Sequence, residues 1–242
     1  KKYFGKIEVS RTLLLSPKDQ FIDQTTIIED SKIKLYRTFF YDISAKKITG
    51  EIEKLTKYRE RKKDLERRIK ILEKSDLEKH KYELKQLEQR HTLGRVNFDS
   101  VIIVDFGERL KSVLTSFQFS DVSNKEVNFF TLNQWFDETL FNEEASQNLY
   151  FPAINFDNLI KFEKKYSETF GMKPNGVAIL AYDALGLLYY CWISNNDELK
   201  IDHLFSKEGF KGLHGEFVIK NNISQQKLNI YKISDKKFLE VF

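Results

Sequence analysis

The segment 98–107, Phe-Asp-Ser-Val-Ile-Ile-Val-Asp-Phe-Gly, constrains this chain more than any other. It is an apolar, β-branched run too short for a helix, the pattern of a parallel strand buried on both faces. From Glu108 the period becomes helical, with Leu110, Val113, Leu114 and Phe117 on one face. After a polar loop at 120–125 a second strand, 127–132, runs into Asn133, Gln134 and Trp135. Strand, helix, strand is one β-α-β unit, joined through a right-handed crossover. Ligands of an open parallel sheet bind outside the carboxyl ends of its strands, so Asp105, Phe106 and Gly107 form one lip of a candidate cleft and Asn133, Gln134 and Trp135 the other.

Asp105-Phe106-Gly107 is also the metal-binding tripeptide of protein kinases, but no Gly-rich phosphate loop, strand lysine or His-Arg-Asp catalytic loop accompanies it. A plainer role fits: Gly107 allows a tight turn and Asp105 caps the following helix. Catalysis finds little support elsewhere. The four histidines, at 80, 91, 203 and 214, include no pair at metal-ligand spacing, and there is no Gly-x-Ser-x-Gly elbow. The single cysteine, Cys191, lies in an apolar run and reads as a small core residue. The chain is therefore read as a non-enzyme without cofactor or metal.

Upstream, 12–16 reads as a buried strand ending at Pro17, and 20–30 as a helix. The alternating run 34–41 reads as a strand nearer the sheet edge. The next segment is foreign to such a fold. Ile48, Ile52, Leu55 and Tyr58, then Leu65, Ile69 and Leu72, then Leu77, His80, Leu84, Leu87 and His91 step by three and four, and Ser75-Asp-Leu-Glu78 has the spacing of a capping box. The narrow apolar stripe predicts an antiparallel helical hairpin projecting from the body, inserted over 48–92. Segment 51–91 holds fourteen Lys/Arg against ten Asp/Glu and so carries the whole net charge of +4. Three roles fit it: a solvated hairpin packing on itself, a protein-docking arm and, least well, a nucleic-acid binder. Acids and bases alternate within a Debye length of about 8 Å and no aromatic platform is interleaved, so no nucleic-acid partner is expected. The residues combining area with charge are Tyr58, Arg61, Arg68 and Tyr82, the candidate partner contacts.

Beyond the central unit, 149–154 reads as a strand with Pro152 at a margin, and Leu159, Phe162, Tyr166 and Phe170 face one way along a helix that Gly171 and Pro174 stop. Residues 176–193 are apolar nearly all round. Asp183 and two glycines interrupt them, whereas a membrane span offers about 20 clean residues, so they read as a buried interior helix. Strand 216–220, a turn at Asn221-Asn222 and strands 227–233 and 238–242 close the chain. With 41% hydrophobic residues over 242 positions, one large α/β domain or two lobes can be packed. The chain opens mid-pattern at Lys1 without Met or signal peptide, which points to a fragment lacking its N-terminal part.

Four stretches together resemble the type I periplasmic binding-protein family, the leucine/isoleucine/valine-receptor type of ABC importers. They are 13–17 with its Ser-Pro ending; 98–107; the helix from Phe162 to Tyr166 with Gly171, Pro174 and Ala181-Tyr-Asp-Ala184; and Phe210-Lys-Gly-Leu-His-Gly-Glu-Phe217. The inserted hairpin leading into Thr92-Leu-Gly-x-Val-x-Phe-Asp99 resembles the subgroup of penicillin-binding-protein activators, outer-membrane-associated lipoproteins that regulate peptidoglycan synthesis. The resemblance implies an α/β fold of parallel-sheet lobes, with 1–150 as the second lobe and 151–242 returning to the first and supplying C-terminal crossing strands. It implies a missing N-terminal part that makes up most of lobe one. Ser16, Phe21, Asp105, Phe106, Gly107, Asn133, Gln134 and Trp135 would line the second lobe's side of the cleft, where they either hold a small ligand or merely close it. Two positions depart from the amino-acid receptors: Phe21-Ile22 stands for Tyr-Gly, removing a hydroxyl, and Gln134-Trp135 stands where an acid can meet a ligand ammonium. The implied partner is a cell-wall synthase or other envelope protein, in the periplasm, with membrane attachment only through a lipid anchor outside this chain. The alternative is a receptor feeding an ABC importer with an amino acid or another small solute.

Overall fold

The computed structural model describes residues 10–18, 22–31, 33–75, 77–132, 138–154, 156–196, 198–213 and 215–241. The chain divides into two compact units, Lys1–Phe151 with Tyr231–Leu239, and Pro152–Ile230 with Glu240–Phe242.

The first unit is built on β1 (Thr12–Pro17), β2 (Leu35–Tyr41), β3 (Ser100–Ile103), β4 (Asn128–Thr131), β5 (Leu149–Ala153), β9 (Asn229–Ser234) and β10 (Lys237–Glu240), ordered β10-β9-β5-β4-β3-β1-β2. The five strands from β2 to β5 are parallel. The expectation that 13–15, 101–104 and 128–131 form adjacent parallel strands holds, with Leu13 beside Val101 beside Phe129 and Leu14 beside Ile102 beside Phe130. Because side chains alternate across a strand, these are two rows on opposite faces. On one face Leu14, Ile102 and Val104 pack with Ile28 of α1 (Ile22–Asp30). On the other, Phe117 of α5 (Gly107–Phe119) meets Phe129 at 5.2 Å and Phe98 at 6.3 Å. Both sheet faces are thus covered by helix, as all-apolar parallel strands require. Aromatic rings carry the packing onto the later strands, with Phe151 5.1 Å from Phe238 and 6.1 Å from Tyr231.

The helical insertion starts later than the apolar stripe suggests. α2 (Ala45–Leu55) buries Ile48 and Ile52, and its Thr49 lies 3.1 Å from Ser116 of α5, oxygen to oxygen, so α2 belongs to the body. Thr56 then donates its hydroxyl to the carbonyls of Ile52 at 2.8 Å and Glu53 at 3.2 Å, and Lys57 takes a left-handed φ of 52°, which ends the helix. The hairpin proper is α3 (Tyr58–Leu72) and α4 (Glu78–Leu87), closed over Leu65, Leu72 and Leu87. The capping box does not form as spaced. Leu77 is the N-cap residue of α4, and the Ser75 hydroxyl pairs with His80 Nδ1 at 2.6 Å.

In the second unit, α6 (Phe156–Phe170) stops at Gly171, whose φ of 68° suits glycine. α7 (Gly176–Ile193) is capped by Asn175, which accepts from Ala178 N–H at 2.8 Å. β6 (Phe210–Gly212), β7 (Gly215–Lys220) and β8 (Ile223–Gln226) form a separate antiparallel sheet, with Asn221 and Asn222 both at positive φ in the β7–β8 turn. The reading of 176–193 as a buried helix is overturned: only Ile179 and Cys191 of α7 are buried. An apolar composition shows that a helix needs covering; in the second unit β6 and the segment 201–205 lie against α7, and its Tyr182 ring stands 4.9 Å from Phe162 of α6.

Candidate functional site

β1 and β3 are neighbours, yet the chain leaves β1 for β2 on one side and β3 for β4 on the other. This reversal is a topological switch point, and it is outside the carboxyl ends of strands at such a point that open α/β sheets take ligands. Four strands end there in buried polar groups. Ser16 of β1 accepts from the Thr25 hydroxyl of α1 at 3.0 Å. Asp105, beyond β3, is fully buried, and its carboxylate accepts from the Tyr41 hydroxyl at the end of β2, from Phe106 N–H at 2.8 Å and from Arg109 Nε at 3.0 Å. Thr131 of β4 donates to the carbonyls of Ile103 at 3.0 Å and Asp105 at 3.3 Å.

An isolated carboxylate away from water is costly, and the phenol, the amide and the guanidinium offset that cost for Asp105. Burial, reinforced by the hydrogen bond to Asp105, pushes the Tyr41 phenol well above its ordinary range. Asp105 therefore acts as the keystone of the lip. The half-buried side of this turn consists of Phe106, Gly107 and Arg109, with Gly107 at φ 54° opening α5 as the tight turn requires. The structure thus brings Ser16, Asp105, Phe106 and Gly107 to one sheet edge. Phe21, Asn133, Gln134 and Trp135 lie outside the described residues. Sequence reasoning missed Tyr41, Thr25, Arg109 and Thr131. One signal was available, since Asp105 and Arg109 stand four apart at a helix start, the spacing of an ion pair.

The four candidate contacts of the hairpin have different fates. Arg61 is not an exposed anchor. Its guanidinium donates to Thr92 Oγ1 at 2.6 Å, Asp121 O at 3.0 Å and Ser120 O at 3.3 Å, while Leu93 N–H returns to Arg61 O at 3.1 Å. It bolts the arm to the body. Tyr58, half-buried, packs its ring 6.2 Å from Phe119 of α5. Arg68 grips Glu83 of α4 through two nitrogens, at 2.7 and 2.9 Å, and staples the two helices together. Tyr82, midway along α4, is 69% exposed, and at the loop end of the arm Leu77 is 62% and Ile71 56% exposed.

No family model matches the chain and no curated protein matches it. Solved structures do. The substrate-binding protein LivJ of a branched-chain amino acid transporter from Streptococcus pneumoniae, in complex with isoleucine, matches 98% of this chain and 61% of its own at a TM-score of 0.55 and 12% identity. Its fold is that of the type I periplasmic binding proteins. A branched-chain amino acid ABC transporter periplasmic ligand-binding protein from Burkholderia xenovorans has this binding-protein fold too, with 96% and 58% covered, a TM-score of 0.60 and 8% identity. So has an ABC transporter solute binding protein from R. palustris in complex with 4-hydroxybenzoate, with 99% and 61% covered, a TM-score of 0.58 and 9% identity. The chain spans about three fifths of the length of these proteins.

Proposed function

We propose that this chain is a non-enzymatic regulator on a binding-protein fold that acts on peptidoglycan synthesis through protein contacts, its arm docking on a cell-wall synthase or another envelope protein. The arm supports this reading most. A hairpin bolted at its base by Arg61 and stapled by Arg68 and Glu83 has its ordering entropy already spent, yet it exposes Ile71 and Leu77 at its loop end and Tyr82 along α4. Rigid presentation of a tyrosine and two aliphatic side chains is the chemistry of an interface anchor. Of the candidate contacts, Tyr82 serves as anchor while Tyr58, Arg61 and Arg68 hold it in place. The resemblance of the 92–99 junction to the activators supplies the partner class and the periplasmic setting, with a lipid anchor on a segment outside this chain. The test is capture from a detergent-solubilised envelope. Wild type retains a synthase, and Tyr82→Ala with Leu77→Asp loses it while keeping the wild-type melting curve. Equal recovery by both proteins would defeat the docking role.

A second reading, a receptor for an amino acid or another small solute, is favoured by the position of Phe106 and Arg109 at the topological switch point and by the ligands in two of the solved neighbours. In it Ser16, Phe21, Asp105, Phe106, Gly107, Asn133, Gln134 and Trp135 line the ligand. Calorimetric titration with isoleucine and with 4-hydroxybenzoate separates the readings. Micromolar binding abolished by Trp135→Ala makes the chain a receptor, and silence with both leaves the regulator.

A further inference from the structure

A cavity of about 530 Å³ lies within the second unit, between α7 and the β6–β7 strands. Small-molecule sites have this size, roughly 300–1,000 Å³. One wall is a strip of α7 on which Tyr182, Gly186 and Tyr190 follow at four-residue steps and so stand one above another. A Cβ at Gly186 would meet nothing within 4 Å, which leaves a slot between the two tyrosines. On the facing wall Phe210 and Phe217 are register partners across β6 and β7, with ring centroids 5.8 Å apart, and Tyr190 meets Phe210 edge to face at 6.1 Å.

Beside the strip stands half-buried Asp183, the one acid among the described residues that line the cavity. Its carboxylate accepts Leu213 N–H at 2.7 Å and comes so near β6 that a Cβ at Gly212 would fall 2.7 Å from it, so the acid is fixed in the wall. Strand alternation sends the side chain of Lys211, the one base of the lining, to the other face of β6 with its register partner Glu216. There the two join Lys161 and Lys227 around a separate polar cavity of about 410 Å³.

We propose that the cavity under α7 binds an organic cation with an apolar body, an arylalkyl amine or a quaternary ammonium, at a site apart from both the lip and the arm. Aromatic faces attract a cation that comes within about 6 Å of a ring centroid, and four rings line this cavity. The carboxylate adds a full opposite charge. It has two oxygens with several lone-pair sites, so Asp183 can keep the Leu213 N–H and still face a cation. A neutral ring compound gains the rings alone, and an acid is repelled by Asp183 where protein replaces screening water.

Calorimetric titration of the whole natural polypeptide with benzyltrimethylammonium tests this, with 3-phenylpropionate as a probe of like size and opposite charge. The cation binds, and the acid binds at least about 10-fold more weakly because like charges meet at Asp183. Gly186→Leu fills the slot in a helix that gains by losing a glycine, so the melting temperature is kept or raised while binding of the cation is lost. Should that variant melt lower, Tyr190→Ser at a 60% exposed position takes its place and removes one side of the slot. Asp183→Asn keeps an acceptor for Leu213 N–H, removes the charge and weakens the cation about 10-fold. Lys211→Gln changes a charge on the far face of β6 and leaves binding of the cation within about 2-fold of wild type. The proposal is overturned by a cation that does not bind, by equal binding of cation and acid, or by a folded Gly186→Leu that binds as wild type does.

Discussion

Replacing Arg61 by alanine separates a brace from a docking contact, the two roles this residue can be given. The guanidinium donates at 2.6 Å to Thr92 Oγ1 and at 3.0 and 3.3 Å to the carbonyls of Asp121 and Ser120, and Thr92 in turn donates at 2.5 Å to Asp121 Oδ2. A hydrogen bond from a charged group is worth about 1.5–3 kcal/mol net. Two good bonds and one long one, at a partly exposed site, place the loss from Arg61→Ala at about 2–3 kcal/mol. The sum is not larger because Nε is buried without a partner and already costs something in the native state. Lysine lacks the planar fork that spans Thr92 and both carbonyls, so Arg61→Lys recovers less than half of the loss. A double-mutant cycle with Thr92→Ala gives a coupling of about 1 kcal/mol, since the two side chains share one network. Urea unfolding by circular dichroism measures these numbers. A loss below about 0.5 kcal/mol from Arg61→Ala, together with loss of partner capture, would refute the brace and return Arg61 to the docking surface.

Tyr41→Phe removes a donor from the buried Asp105 carboxylate and should cost about 1–3 kcal/mol in the same assay. Because the folded-state pKa of Tyr41 is raised, its contribution is fully present below the unfolded value of about 10 and declines as pH climbs above it. Wild type therefore loses stability faster than Tyr41→Phe in alkaline titration, by up to one proton, and parallel curves would contradict this. Lys57→Gly relieves a left-handed residue and should stabilise the unit by about 0.5–1 kcal/mol, seen as a higher melting temperature, provided that the chain break at Thr56 is retained.

The legible parts of this fold are those whose burial is decided by the strands themselves. The runs 13–15 and 101–104 are apolar at every position, which only a sheet covered on both faces tolerates, so their parallel pairing follows from residue type. The arm was legible as a hairpin because Leu65, Ile69 and Leu72, and then His80, Leu84 and Leu87, step by three and four on either side of a break. Its boundary was not, since apolar residues keep helical spacing from Ile48 through Tyr58, with the first interruption at Lys62, while a single φ at Lys57 turns the chain. Arg61 shows a second limit: a charged residue on an exposed helix reads as surface, and only the fold brings the carbonyls of 120 and 121 to it. α7 shows a third. Apolar pattern reports the need for burial, and the burial itself depends on what else is folded against the helix.

Asp105 bears on whether the lip or the arm carries function. A receptor that grips a charged solute holds polar groups ready to exchange water for ligand, and the gain is largest when those groups lack other partners. Here the carboxylate is engaged by Tyr41, Phe106 and Arg109, and Ser16 and Thr131 are likewise hydrogen-bonded within the sheet end. Recruiting Asp105 for a ligand would first break bonds in a buried network, at about 1–3 kcal/mol for each partner left behind. The arm demands no such exchange: Leu77 and Tyr82 already stand in water, and covering them stabilises a complex by about 25 cal/mol per Å² of apolar surface. On these magnitudes the described lip holds the strand ends together, and of the two it is the arm that offers apolar surface still to be covered.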